Sequence, residues 1–240
     1  MRANNVTLVS FSGIDGAGKS TQIDALCRHL TNSGLRYSLL TFWDDVVVLP
    51  RFREQMSLRA FKGEKGVGSP EKPIARRDKN VASWYLTAFR MVVYALDALR
   101  LRSVASRAAQ SGADFVIFDR YLYDEFANLP LPRSLVRLYV RMLLRIIPKP
   151  HVALLLDADA EAATIRKPEY PLEFARRNRQ AYLQLSRMVG GMSIIPPLPI
   201  QAATEAMKKV IFEKSQTLEG GLGFHLEGSV ASEPARTSKH

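Results

Sequence analysis

The stretch Phe11-Ser-Gly-Ile-Asp-Gly-Ala-Gly-Lys-Ser-Thr21 constrains this chain more than any other. Gly13, four further residues, and then Gly18-Lys19-Ser20 give the spacing of a phosphate-binding loop. Its glycines let backbone N–H groups close on an anion, and the following helix offers its positive end to the same anion. In such a loop the lysine, here Lys19, reaches the terminal phosphates, and the hydroxyl of Ser20 ligates Mg²⁺. The pattern needs a buried strand before it and a helix after it. The apolar run 6–11 supplies the strand, and Ile23, Leu26, Cys27 and Leu30 recur at helical spacing over 21–30. Gly13, Asp15, Gly16, Ala17, Gly18, Lys19, Ser20 and Thr21 are therefore the expected nucleotide-binding residues.

Length and composition narrow the class. A chain of 240 residues suits one α/β domain with a full core. The single cysteine, Cys27, excludes an internal disulfide and suits a reducing compartment such as the cytoplasm. No apolar run reaches the roughly 18 residues of a membrane span. Arg2 and the run 6–11 mimic a short signal peptide, but Ser12, Gly13 and Asp15 interrupt it, and the run is better explained as the strand before the loop. The net charge of +11 fits a nucleic-acid or membrane-surface binder, or an enzyme that handles several phosphates. The basic residues collect around 51–59, 72–79, 133–145 and 166–187 rather than in one block, which favours the enzyme; no nucleic-acid partner is expected.

Taken in order, 35–42 reads as a second strand with Trp43-Asp44-Asp45 at its carboxyl end, the end that faces a ligand crevice in open α/β sheets. Residues 46–61 read as partly helical. Residues 62–80, rich in Gly, Pro, Lys and Arg, read as a mobile loop, either a solvated surface excursion or a flap over an anionic substrate with Arg76 and Arg77 as phosphate contacts. A long helix is expected over 81–110, with Tyr85, Phe89, Val92, Leu96 and Leu99 as its core stripe and Arg90, Tyr94 and Asp97 on a second face, either solvated and locally paired or, where it borders the crevice, reading the substrate. Phe115-Val-Ile-Phe118 is a buried strand delivering the Asp119 carboxylate, with Arg120 and Tyr121 following. A helix over 134–147 carries Arg133, Arg137, Arg141 and Arg145 at every fourth position, a solvated face or, alternatively, a membrane-lying one. Residues 151–156 form a strand ending at Asp157, and His151 lies at the end away from the crevice, where no catalytic role is expected. A short helix over 161–165, a break at 166–171, a helix over 172–189 with Arg176, Arg177 and Arg179, a strand at 193–195 and a helix over 204–214 follow. Residues 215–240 lack periodicity and are expected to be disordered. Alternating strands and helices predict a parallel five-stranded sheet covered on both faces.

Several pieces together resemble the thymidylate kinase family of P-loop nucleoside monophosphate kinases. They are the loop from Gly13 to Thr21, Phe118-Asp119-Arg120-Tyr121, Pro150 through Leu156-Asp157, and Arg177-x-Arg179-x-x-Tyr182. The likeness spans 6–214 and implies a three-layer P-loop domain over 1–214 with strand order 2-3-1-4-5. It implies phosphoryl transfer from ATP, with Mg²⁺, to a nucleoside monophosphate, with dTMP as the default acceptor. By the same resemblance, Lys19 holds the transferring phosphate, Ser20 and Asp119 serve Mg²⁺, Asp15 meets the acceptor sugar, and Arg120 organises both substrates' phosphates. Some members carry an arginine just after the loop acid. Gly16 stands there in this chain, so the catalytic arginine is expected from a lid over 165–180: Arg166, with Arg176 or Arg179. Gln201 falls in the adenine-contact region. Trp43, Arg76, Arg77, Arg90, Asp97 and Tyr121 join Asp15 and Arg120 as the expected acceptor side. Nucleotide substrates and a homodimer are the implied partners. Two departures bear on the acceptor: Trp43-Asp44-Asp45 replaces an Arg-Glu-Pro segment, and Asp97 stands where a thymine-reading arginine belongs, leaving Arg90 or Arg100 to substitute. The alternatives are a related kinase for another small acceptor, or an ATP-binding protein without catalysis.

Overall fold

The computed structural model describes residues 6–48, 84–168 and 170–220. Strand β1, Thr7–Ser12, is buried along its whole length. It pairs in parallel with β3, Phe115–Asp119, on one side and with β4, Val152–Leu156, on the other. These three strands are almost continuously apolar because both of their faces are covered. Strand β2, Tyr37–Thr41, flanks β3, and β5, Ser193–Ile195, flanks β4; both edges are part-exposed. The order is β2-β3-β1-β4-β5, as the resemblance implied.

Side chains alternate across each strand, so each face builds its own core. On one face Val9, Phe11, Ile117, Leu154 and Leu156 pack against α1 (Lys19–Asn32) and α7 (Ile200–Gly220). On the other, Leu8, Val116, Phe118, Ala153 and Leu155 pack with residues of α2 (Trp84–Ala109), α3 (Leu122–Phe126), α4 (Ser134–Ile146) and α6 (Leu172–Val189). Helix α5 (Ala160–Arg166) follows β4 and packs on α6. The result is the expected α/β/α sandwich.

Three expectations need correction. The core stripe of α2 is inverted: Val92, Leu96 and Leu99 are exposed at 63%, 44% and 58%, while Tyr94, Asp97, Ala98, Leu101, Ala105 and Ala108 face inward. That face mixes three alanines and the hydrogen-bonded Asp97 with Tyr94 and Leu101, so its hydrophobic period is weak. Phe89 is half-buried. The final helix begins at Ile200 and runs to Gly220, so residues 215–220 are helical. Beyond β2 the chain makes a π-turn, Phe42–Val46, in which the Asp45 carboxylate accepts the Thr41 N–H at 2.7 Å. That turn and α3 had no counterpart in the periodicity. The expectations for 49–83, including the flap with Arg76 and Arg77, and for 221–240 lie outside the described residues.

Candidate active site

The loop between β1 and α1 is built from conformations that only glycine takes at low cost. Gly13 has φ +145° and Gly16 has φ +83°, and a Cβ on either would sit 2.4 Å from a backbone oxygen, that of Leu156 or of Ala163. The loop is thus wedged between the end of β4 and the back of α5. Gly18, at φ +86°, caps α1, whose first residue is Lys19. The Lys19 amine is buried under the loop and donates to Gly13 O at 2.7 Å and Ile14 O at 2.9 Å. Ser20 and Thr21 stand exposed on the first turn of α1. With no acid in that turn, the positive end of the helix meets the cavity uncompensated.

The end of β3 supplies the charged centre. Asp119 is the last residue of the strand, in register with Phe11 on one side and Thr41 on the other. Burial pushes its carboxyl above the ordinary value, while Arg120, Lys19 and Lys167 pull it back. Arg120 adopts φ +67°, the only non-glycine residue with positive φ among those described, a conformation that costs about 1–2 kcal/mol. The turn sends its guanidinium back across the loop to pair with Asp15, and within 3.6 Å of Asp124. Burial opposes the Arg120 charge, but the two carboxylates outweigh it and hold the group firmly protonated. Asp124 is itself almost fully buried and accepts from Ser12 Oγ at 2.7 Å, Tyr121 N at 3.0 Å and Tyr182 Oη at 2.8 Å. One buried carboxylate therefore ties β1, the start of α3 and the middle of α6 to the arginine.

The third wall comes from beyond β4. Asp159 caps α5 by accepting the Ala162 N–H at 2.9 Å. Arg166 ends that helix, exposed and lining the cavity with Lys167. Arg179 is held by Asp157 through two hydrogen bonds of 2.7 Å, and Arg176 pairs with Glu161 and Glu173. Residues 195–200, with three prolines, close the far side. The cavity so formed measures about 830 Å³.

Asp15, Gly16, Ala17, Gly18, Lys19, Ser20, Thr21, Asp119, Arg120 and Arg166 thus converge on one space, with Gly13 shaping the loop from behind. Other candidates fall elsewhere. Gln201 is exposed and outside the lining, where Ile200 and Ala203 stand instead. Tyr121 is fully buried and donates to Pro148 O at 2.6 Å, so it faces the core rather than the crevice. Asp97 is fully buried and accepts the Val48 N–H at 2.7 Å, pinning α2 to the segment after the π-turn. Trp43, 39% exposed in that turn, and Arg90, half-buried on α2, do not line the cavity. Sequence reasoning missed Asp124, Lys167 and the part of the proline wall over 195–198. Asp124 carried a readable signal, an acid three residues after Tyr121 whose carboxylate reaches back to the N–H opening a short helix.

The donor set suits a nucleotide-bound Mg²⁺. Ser20 and Asp119 offer hard oxygens into a cavity that Lys19 also reaches. Among the described residues no cluster of three His, Cys, Asp or Glu forms an all-protein cage. Mg²⁺ characteristically takes one or two protein oxygens and completes its shell with phosphates and water.

A parallel sheet in this order, whose central strand opens into a glycine loop and a helix N-terminus, is the fold of the P-loop kinases. Among solved structures it is similar to thymidylate kinase from Candida albicans, with TM-score 0.59 and 18% identity over 88% of this chain and 92% of that one. It is also similar to thymidylate kinase from Ehrlichia chaffeensis, with TM-score 0.55 and 16% identity over 86% of this chain and 98% of that one. The chain has the thymidylate kinase fold. No protein-family model matches the sequence, and no curated protein matches it.

Proposed function

We propose that this chain transfers the γ-phosphoryl group of ATP to a nucleoside monophosphate, with dTMP as the default acceptor. The observation that carries this reading is the convergence of Lys19, Ser20, Asp119 and the Asp15–Arg120 pair on one cavity. The loop N–H groups and Lys19 grip the triphosphate. Arg120, held by Asp15 and Asp124, faces the space between donor and acceptor. Arg166, at the free end of α5, supplies positive charge as the phosphoryl group passes through a loose, charge-spread transition state. Mg²⁺, bound through Ser20 and Asp119, would neutralise phosphate charge. ADP release measured with ATP and Mg²⁺ across the nucleoside monophosphates tests the reading. Turnover stimulated by dTMP and lost in Lys19→Ala supports it; no stimulation by any monophosphate sinks it.

A second reading keeps the ATP chemistry and changes the acceptor. Asp97 supports it, being buried where the resemblance calls for a base-reading arginine. Thymine-dependent binding in calorimetry would remove it. An ATP-binding protein without catalysis remains a third reading, marked by ATP affinity with no transfer to any acceptor. For the assembly, a homodimer is supported by exposed apolar residues on α2 and on α4, where Leu135, Leu138 and Met142 are 77%, 65% and 50% exposed.

A further inference from the structure

A second cavity, of about 590 Å³, opens at the other end of the sheet. It lies where β4 begins, about 20 Å along the strand from Asp157. Its floor is apolar, from Tyr123, Leu144 and Met188, and its rim carries Arg141 and Arg145 of α4, Lys149, and Lys214 of α7. Among the described residues no aspartate or glutamate lines it. Arg120, Arg176 and Arg179 each pair with a carboxylate. Arg141, Arg145 and Lys149 make no ion pair or hydrogen bond among the described residues, and Lys214 makes one bond, to Gly191 O at 3.0 Å. A cation beside the last turn of a helix also complements the helix dipole, which accounts for Arg145. It does not account for Arg141, a turn earlier, or for Lys214, which comes from another helix.

His151 adds a neutral donor to the cavity. His151 lines it, and its Nδ1 accepts the Leu8 N–H at 2.8 Å. In the neutral ring the proton therefore resides on Nε2, leaving a second donor. Gly190 and Gly191, at φ +66° and +81°, form one edge as bare backbone, with the Gly190 N–H donating to Ser186 O at 3.2 Å and Gly191 O accepting from Lys214. An apolar floor under four converging cations, in a volume within the usual range for small-molecule sites, matches an apolar body bearing phosphate.

We propose that this cavity is a second ligand site, separate from the phosphate-binding loop, for a free phosphorylated small molecule of mononucleotide size. The recess favours a free molecule over a membrane headgroup, because the floor residues lie below the cationic rim. The site does not depend on the kinase reading.

Calorimetry on the full chain tests it, with a panel of nucleoside mono- and diphosphates and inorganic pyrophosphate as probes. Three proteins are compared: the wild type, Lys19→Ala, and the double variant Arg141→Ala/Arg145→Ala, whose exposed side chains leave the core untouched. The expected result is a binding event that survives in Lys19→Ala and weakens about tenfold or more in the double variant, with Lys149→Ala weakening it independently. Basal phosphoryl transfer should be unchanged in the double variant. The proposal is overturned if every binding event vanishes with Lys19 or none responds to the arginines. It is equally overturned if phosphatidylserine vesicles bind through Arg141 and Arg145 while no soluble probe does.

Discussion

At the scale of single residues, the site separates cations that face the cavity from cations already engaged. Arg166 lines the cavity, whereas Arg176 is shared between Glu161 and Glu173. Arg166→Ala is therefore expected to lower kcat by about 10³–10⁵. Arg176→Ala should change kcat by less than about tenfold, since exposed ion pairs contribute little. Equal losses in steady-state kinetics would contradict this division. Asp119 makes a different prediction. Burial raises its carboxyl above the ordinary 3.8, so between that value and the raised one the folded state binds a proton that the unfolded chain has released. Folding stability should fall as pH rises through this window. Asp119→Asn should flatten that part of the profile and leave Tm at neutral pH equal or higher, while abolishing Mg²⁺-dependent turnover. Thermal melts from pH 3 to pH 8 check the sign; a Tm that rises through the window more steeply in wild type than in the variant would refute it.

At the scale of elements, the Asp124 carboxylate decides how α6 is set against the sheet. Tyr182→Phe removes one of its acceptor contacts inside the core and should cost about 1–2 kcal/mol in urea unfolding. Because Asp124 lies beside Arg120, turnover should also fall, and an unchanged kcat would separate the network from the chemistry. Much of this level was legible in the sequence. Strands β3, β4 and β5 and helix α6 lie within a residue of their expected bounds, because Gly, Pro and caps punctuate them sharply. The loop from Gly13 to Thr21 was legible because phosphate-binding loops fix both residue type and spacing. The α2 face was not, because its inward side mixes alanines with Tyr94 and with Asp97, which accepts the Val48 N–H, and such a mix carries no clear hydrophobic period. The fates of Tyr121 and Arg179 were equally illegible: each is set by a partner distant in the chain, Pro148 O and the Asp157 carboxylate.

At the scale of the whole molecule, the misread stripe becomes informative. Val92, Leu96 and Leu99 lie outside the core, and Tyr139 Oη donates to Met91 O, linking α4 to α2. If these two helices form the homodimer surface, Leu96→Glu with Leu99→Glu should yield a folded monomer in sedimentation velocity. A wild-type monomer at micromolar concentration would exclude the dimer. The molecule also has no helix, among the described residues, long and apolar enough to cross a membrane. The close packing of the loop against α5 has a consequence for how such a chain can change over generations. A side chain at position 16 would meet the Ala163 oxygen at 2.4 Å, so the space for a cation in the loop is already taken by α5. If Arg166 supplies the catalytic charge, as proposed, one substitution at Gly16 does not move that charge into the loop, because α5, which carries Arg166, must shift to make room.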